Sequence, residues 1–233
     1  MHDAPKPSLL IPGPFAHDRY RFTTGLRAGE IATIRGDAGQ VLLTYRSFAS
    51  ITGVIAAFLS GIVVIAGAAA VLMLWFDKEP WRAVTALALT LIFSFVIAML
   101  VPRIHVTLFD NDQPALTIAQ RSRGRYLVST PNGATLAELR KSFLSRIGRH
   151  RWTIWHDGRY MGEAAEESFF GALLRKLFGK FSRAFETNIA IRHGGMTIGR
   201  IPRKTEDVLE LTSDALDRRV VVAVATLILG REP

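Results

Sequence analysis

Along most of the chain apolar and polar positions alternate over short distances, but two stretches break the pattern. Ile51–Phe76 and residues 83–101 carry no charge at all. At ~1.5 Å per residue in a helix, the first is ~39 Å long and the second ~28 Å, against a hydrocarbon core of ~30 Å. Both are long enough to span a membrane, the first with some tilt. Only six residues, Asp77 to Arg82, separate them, so the spacing predicts a chain that crosses, turns and returns. Trp75 and Trp81 flank the turn, where interfacial aromatics are expected. The reading is a transmembrane helical hairpin over 51–102, with helices at 51–76 and 83–101.

Outside that hairpin one unit recurs: a short apolar stretch, a polar turn, and a second apolar stretch. It appears at 31–45 around Asp37-Ala38-Gly39, and at 104–118 around Asn111-Asp112-Gln113-Pro114. It returns at 126–139 around Pro131-Asn132-Gly133, at 152–164 around His156-Asp157-Gly158, and at 189–201 around His193-Gly194-Gly195. Asn-Gly, Asp-Gly and Gly-Gly supply the positive φ that tight hairpin turns need. Five hairpins mean roughly ten strands, hence a mostly antiparallel sheet closed into a barrel or sandwich. The apolar helices fall between the first and second units. They are therefore expected as an insertion into one β domain (19–50 and 103–233), preceded by a tail at 1–18. Residues 220–229 are apolar apart from Thr226 and too short to span a bilayer. Periodicity alone leaves them strand or helix, with Asp214 or Ser213 as a candidate cap if helical.

Composition adds direction. The 233-residue chain carries 29 Lys and Arg against 20 Asp and Glu, a net charge of +9, and its mean hydropathy is above zero. The excess charge lies outside the apolar stretches, which points to an anionic partner, and beside membrane spans lipid headgroups come before nucleic acid. Arg35, Arg46, Arg103, Arg121, Arg123 and Arg125 flank the spans, whereas the turn holds Lys78 and Arg82. By the positive-inside rule the protein is a two-span, multi-pass protein of the cell (inner) membrane with both termini cytoplasmic. A cleaved signal peptide is not expected, because the first apolar stretch starts at residue 51. The absence of Cys excludes disulfides, thiolate metal sites and cysteine nucleophiles.

Within the spans, Gly53, Ala57 and Gly61 recur every fourth residue, as do Ala86, Thr90, Ser94 and Ala98. Small residues at this spacing let helices approach closely, either within one chain or between copies in a homo-oligomer. No ionisable residue lies mid-span, so no proton relay or ion path is read there. The second candidate surface lies at 168–185. Phe170, Leu174, Phe178 and Phe181 share one face at helical spacing, and Arg175, Lys176, Lys180 and Arg183 occupy the rest. A basic, Phe-rich amphipathic helix suits the membrane interface, where each Lys or Arg contributes ~1 kcal/mol near an anionic surface. No catalytic residue, metal set or cofactor is read. His105, His156 and His193 lack ligand spacing, and Glu163, Glu166 and Glu167 read as a solvated strand end. Arg146, Arg149, His150 and Arg151, with Trp152 and Trp155, read as a basic-aromatic patch.

The repeated turns and the ending Leu216-Asp217-Arg218-Arg219 followed by an apolar run resemble the tubby C-terminal-like superfamily, which includes phospholipid scramblases and LURP-one-related proteins. The resemblance covers about 19–48 and 104–230. It implies a closed barrel around a buried C-terminal helix, which would make 220–229 helical, and it implies lipid contact. The Cys-rich lipidation segment of scramblases is absent, and Asp110-Asn111-Asp112 lacks the Gly and distal Glu of an EF-hand loop, so calcium dependence is not carried over. The functional expectation is a non-enzymatic, membrane-anchored module that contacts anionic phospholipids. Lipid scrambling and a dimeric scaffold that docks a protein partner are the alternatives.

Overall fold

A computed structural model describes residues 13–23, 31–49, 51–100, 104–122, 124–142, 150–167, 188–202 and 207–230. Its strands, in chain order, are β1 (Arg19–Phe22), β2 (Ile31–Arg35), β3 (Val41–Ala49), β4 (Ile104–Asp110), β5 (Gln113–Ser122) and β6 (Arg125–Ser129). They continue with β7 (Thr135–Lys141), β8 (Arg151–His156), β9 (Arg159–Glu166), β10 (Ile189–His193), β11 (Met196–Ile201) and β12 (Val208–Leu211). Three helices are found among the described residues: α1 (Ile51–Phe76) and α2 (Pro80–Leu100) between β3 and β4, and α3 (Arg218–Leu229) after β12. The twelve strands form one closed antiparallel barrel in which sequence neighbours are sheet neighbours and β1 closes on β12. The chain divides into two compact units, the barrel with α3 and the pair α1–α2.

The five expected hairpins are present, and their turns show why the sequence put Asn, Asp and Gly there. Asn111, Asp112 and Asp157 sit at φ 47°, 64° and 47°, and Gly39, Gly133, Gly158, Gly194 and Gly195 are also in the left-handed region. That conformation clashes with Cβ in most residues, and the short polar side chains of Asn and Asp tolerate it best. Two further strands make up the twelve. β1 and β12 are four residues each, and they join the first and last hairpins through Arg19↔Glu210, Tyr20↔Leu209 and Arg21↔Val208.

Alternate strand residues face the core. Ile34, Leu43, Tyr45, Leu108, Leu116, Ile118, Tyr126, Val128, Leu139 and Ile154 are all fully buried, each worth ~1.5–3 kcal/mol on leaving water. Residues 220–229 are helical and every one of them is buried. The only hydroxyl among them, on Thr226, donates to the Val222 carbonyl at 2.8 Å, so the helix brings no unmet polar group into the core. Its cap is Asp217, whose carboxylate accepts the Arg219 N–H at 2.9 Å, and not Asp214 or Ser213.

The buried tyrosines give the fold an alkaline limit. Burial is the largest influence on Tyr20 and Tyr45 and raises both phenols from 10.0 to about 12. Between about pH 10 and 12 the unfolded chain has lost these protons while the folded chain holds them, so stability falls as pH rises through that window. Phenolate absorbance of Tyr20 and Tyr45 is expected to appear together with loss of the barrel's circular dichroism. Ionisation of both before any loss of structure would contradict their burial.

Candidate functional site

α1 and α2 pack through small side chains, but not through all those the spacing picks out. Ala56 on α1 and Ala83 on α2 are buried. Gly53, Ser60, Val63 and Gly67 on the first helix, and Ala86, Thr90 and Ser94 on the second, are half-buried. The close approach is at Gly67, where an added Cβ would come within 2.1 Å of Thr90 Oγ1. Thr90 in turn bonds its hydroxyl to the Ala86 carbonyl at 2.8 Å, so the contact is apolar in effect. Ala57 and Gly61 lie on the exposed side of α1, and a Cβ at Gly61 would meet nothing within 4 Å. The side chain of Ala98 lies outside the described residues. The seam of α1 therefore runs through Gly53, Ala56, Ser60, Val63 and Gly67, alternating three and four residues apart, as 3.6 residues per turn requires for one face.

Gly67→Val is expected to destabilise the helix pair by ~1–3 kcal/mol, whereas Gly61→Val leaves it unchanged. Thermal melts of the two variants in detergent check this, and equal melting temperatures would contradict the assigned seam.

The remaining surface of the pair is apolar. Phe58, Ile65, Met73, Phe76 and Trp81 are 69–83% exposed. Gly53–Phe76 and Pro80–Ile97 are each long and apolar enough to cross a membrane, with 0% and 6% of their most apolar windows buried.

The amphipathic segment read from the sequence, with Phe170, Leu174, Arg175, Lys176, Phe178, Lys180, Phe181 and Arg183, lies outside the described residues. Its two roots are described. β9 ends at Glu166 and β10 starts at Ile189, these two residues pair across the sheet, and the Glu167 N–H donates to the Asn188 carbonyl at 3.0 Å. The segment is thus a long connection between neighbouring strands.

The Asp217-Arg218-Arg219 sequence has a mechanical role. Arg219 grips Asp217 through Nε and Nη2, with Nη2 to Oδ2 at 2.6 Å, which holds the capping carboxylate in place. Arg218 bonds to Asp214, to Asp18 at 2.7 Å and to the His17 carbonyl at 2.7 Å, tying the start of α3 to the start of β1, 200 residues away. Both guanidiniums are held above their ordinary pKa, Arg218 mainly by its bond to Asp214 and Arg219 by its bond to Asp217. Charge-assisted bonds of this kind are about twice as strong as neutral ones. In the sequence these residues resemble a family signature, and the latch leaves no local signal because its partners are far apart in the chain.

Trp152 and Trp155 do not form one patch. Trp152 faces inward, 2% exposed, against Tyr126 and beneath Lys141. Trp155 faces outward with Arg140 stacked 4.5 Å from its ring centroid and the Tyr160 ring in an edge-to-face contact, ring centroids 5.7 Å apart. Arg140 is also clamped by Glu138 at 2.9 Å, a bond that raises the pKa of the arginine and lowers that of the glutamate. Nor are the three glutamates a solvated strand end. Glu166 is fully buried and accepts the His150 N–H at 2.8 Å, while Glu163 pairs with Arg151 at 2.7 Å. His156 and His193 bond the carbonyls of Leu136 and Met161 across the sheet. Among the described residues no three His, Asp or Glu side chains come together as a metal set.

Comparison with protein-family models, with curated proteins and with solved structures finds no match for this chain.

Proposed function

We propose that the chain is a two-span membrane protein whose barrel, closed around α3, is a non-enzymatic module that contacts anionic phospholipid headgroups. The observation that carries this is the exposure of α1 and α2. Soluble monomers rarely leave an apolar patch larger than a few hundred Å² in water, because each Å² costs ~25 cal/mol. Two helices apolar around most of their circumference and buried only along their mutual seam suit a hydrocarbon environment. They leave and rejoin the barrel between adjacent strands, so an even number of crossings keeps both halves of the barrel on one side. The arginines at 46, 103, 121, 123 and 125 favour the cytoplasmic side for that barrel, with both termini there.

A closed barrel together with a C-terminal helix buried on all its faces is the arrangement a tubby-like protein would have, and it supports that reading and the lipid contact it implies. The connection at 168–185 is the proposed contact, through Phe170, Leu174, Phe178 and Phe181 in the interface and Arg175, Lys176, Lys180 and Arg183 among the headgroups. Ala57 and Gly61, which face away from α2, favour a homo-oligomer through the spans as a second reading.

The test is liposome co-sedimentation of the barrel with 50–103 replaced by a short linker, alongside the same protein with Arg175, Lys176, Lys180 and Arg183 changed to Glu. Sedimentation with anionic but not zwitterionic vesicles, lost in the charge-reversed version, is expected. Equal behaviour of the two proteins would overturn the assignment of the surface.

A further inference from the structure

The strand directions sort the charges of the barrel to its two ends. β3 ends at Ala49, where α1 follows, and β4 begins at Ile104, where α2 has returned. Because neighbouring strands run antiparallel around a closed barrel, β1, β5, β7, β9 and β11 also finish at that end, and β2, β6, β8, β10 and β12 start from it. Arg121 at the end of β5, Arg125 at the start of β6, Lys141 at the end of β7, Arg151 at the start of β8 and Arg200 at the end of β11 all belong to this one end. With Arg21 near the end of β1 and Arg46 near the end of β3 they number seven among the described residues, against four acids: Glu163 and Glu167, paired with Arg151 and Arg200, the buried Glu166, and Asp207 just before β12.

At the opposite end the five hairpin turns carry Asp37, Asp112 and Asp157 and no Lys or Arg, and the strand ends beside them bring Arg19, Arg35, Arg159 and Arg192 against Asp18, Asp110 and Glu210, so six acids face four cations there. Asp214 and Asp217, also at that end, are matched by Arg218 and Arg219. The aspartates Asp112 and Asp157 have a local reason, since their backbones are left-handed. No turn geometry asks for the cations at the other end.

We infer that the barrel is electrostatically two-ended, and that the basic end, to which α1 and α2 are joined, is the end that docks on anionic lipid headgroups while the acidic turns point away. This rests on the lipid reading above and adds the face that does the work. A seven-residue strand such as β4, rising ~3.3 Å per residue and tilted ~40°, separates the two ends by about 18 Å. That exceeds the screening length of ~8 Å at physiological salt, so a charged membrane acts on the near end and hardly on the far one. Charge sorting therefore sets the docking direction, and the acidic turns are repelled from the surface that attracts the basic end.

The full chain has no Cys, so each introduced thiol is unique. Ser142→Cys at the basic end and Ala38→Cys and Ala134→Cys in turns at the acidic end are labelled with a fluorophore. The labelled proteins are reconstituted into vesicles that contain phosphatidylserine and a lipid with a quencher on its headgroup. The expected result is quenching several-fold stronger at 142 than at 38 or 134, with the difference shrinking at ~1 M salt, where the screening length is ~3 Å, and in purely zwitterionic vesicles. Equal quenching at the three sites, or stronger quenching at 38 and 134, overturns the assignment of the ends while leaving co-sedimentation of the barrel, and hence the lipid reading, intact. A difference indifferent to salt and to anionic lipid overturns the inference as well, because tethering through α1 and α2 alone would then produce it.

Discussion

Aspartate at any of four successive positions of α3, Val221, Val222, Ala223 or Val224, is expected to abolish the folded barrel. Successive helix residues step by 100°, so these four sample the whole circumference, and none of them is more than 1% exposed. A carboxylate placed in such a site has no partner, and the effective penalty for burying an unpaired charge is several kcal/mol. The whole stability of a domain is only ~5–15 kcal/mol. A helix lying on a surface would tolerate Asp on at least one of the four faces. Expression and circular dichroism of the four variants, with Val224→Ala as a graded control expected to melt lower but remain folded, decide the matter. A single well-folded Asp variant would show that one face of α3 is open.

Replacing Gly162 by alanine is expected to cost about 3 kcal/mol, the upper part of the range for forcing an extra methyl into a packed site. An added Cβ would lie 2.3 Å from the Arg192 carbonyl oxygen, and that neighbour is backbone in the paired strand β10, which has no rotamer to give way. At ~2–4 °C per kcal/mol for a domain of this size, the melting temperature should fall by ~6–12 °C. Gly199→Ala is the matched comparison. There the nearest atom is the Glu210 carbonyl oxygen at 3.0 Å, so a shift of a few tenths of an ångström relieves the contact and the loss should be smaller. Thermal melts in which Gly199→Ala falls further than Gly162→Ala would contradict the close approach of β9 to β10.

Much of the barrel was legible because its signals are local. A two-residue turn that needs positive φ has few acceptable side chains, so Asn111-Asp112, Asp157-Gly158 and Gly194-Gly195 announce their hairpins wherever they stand. The alternation in β5 and β7 likewise marks one buried and one exposed face without reference to any partner. β1 and β12 escaped notice because four residues give too little alternation to stand out, and what makes them strands is mutual pairing across the closure. The four-residue repeat on α1 departs from its contact with α2 for a related reason. A four-residue repeat matches a helix over two turns and then drifts off its face, so Gly61 follows Ala57 outward while the contact moves to Ser60 and Gly67.

Charge-free length and turn chemistry, both properties of contiguous residues, were enough to read two apolar helices set between halves of a β domain. They were also enough to place 168–185 as a basic, Phe-rich connection. Tertiary structure decided the rest. It made residues 220–229 a helix buried on every side, turned Trp152 inward and Trp155 outward, buried Glu166, and latched Arg218 to Asp18 across 200 residues. Each of these depends on closing the barrel, which brings together groups whose separation along the chain carries no trace of their proximity. Closure also gives the strands their directions and gathers their charges at two ends, a property of the assembled barrel that no single hairpin contains.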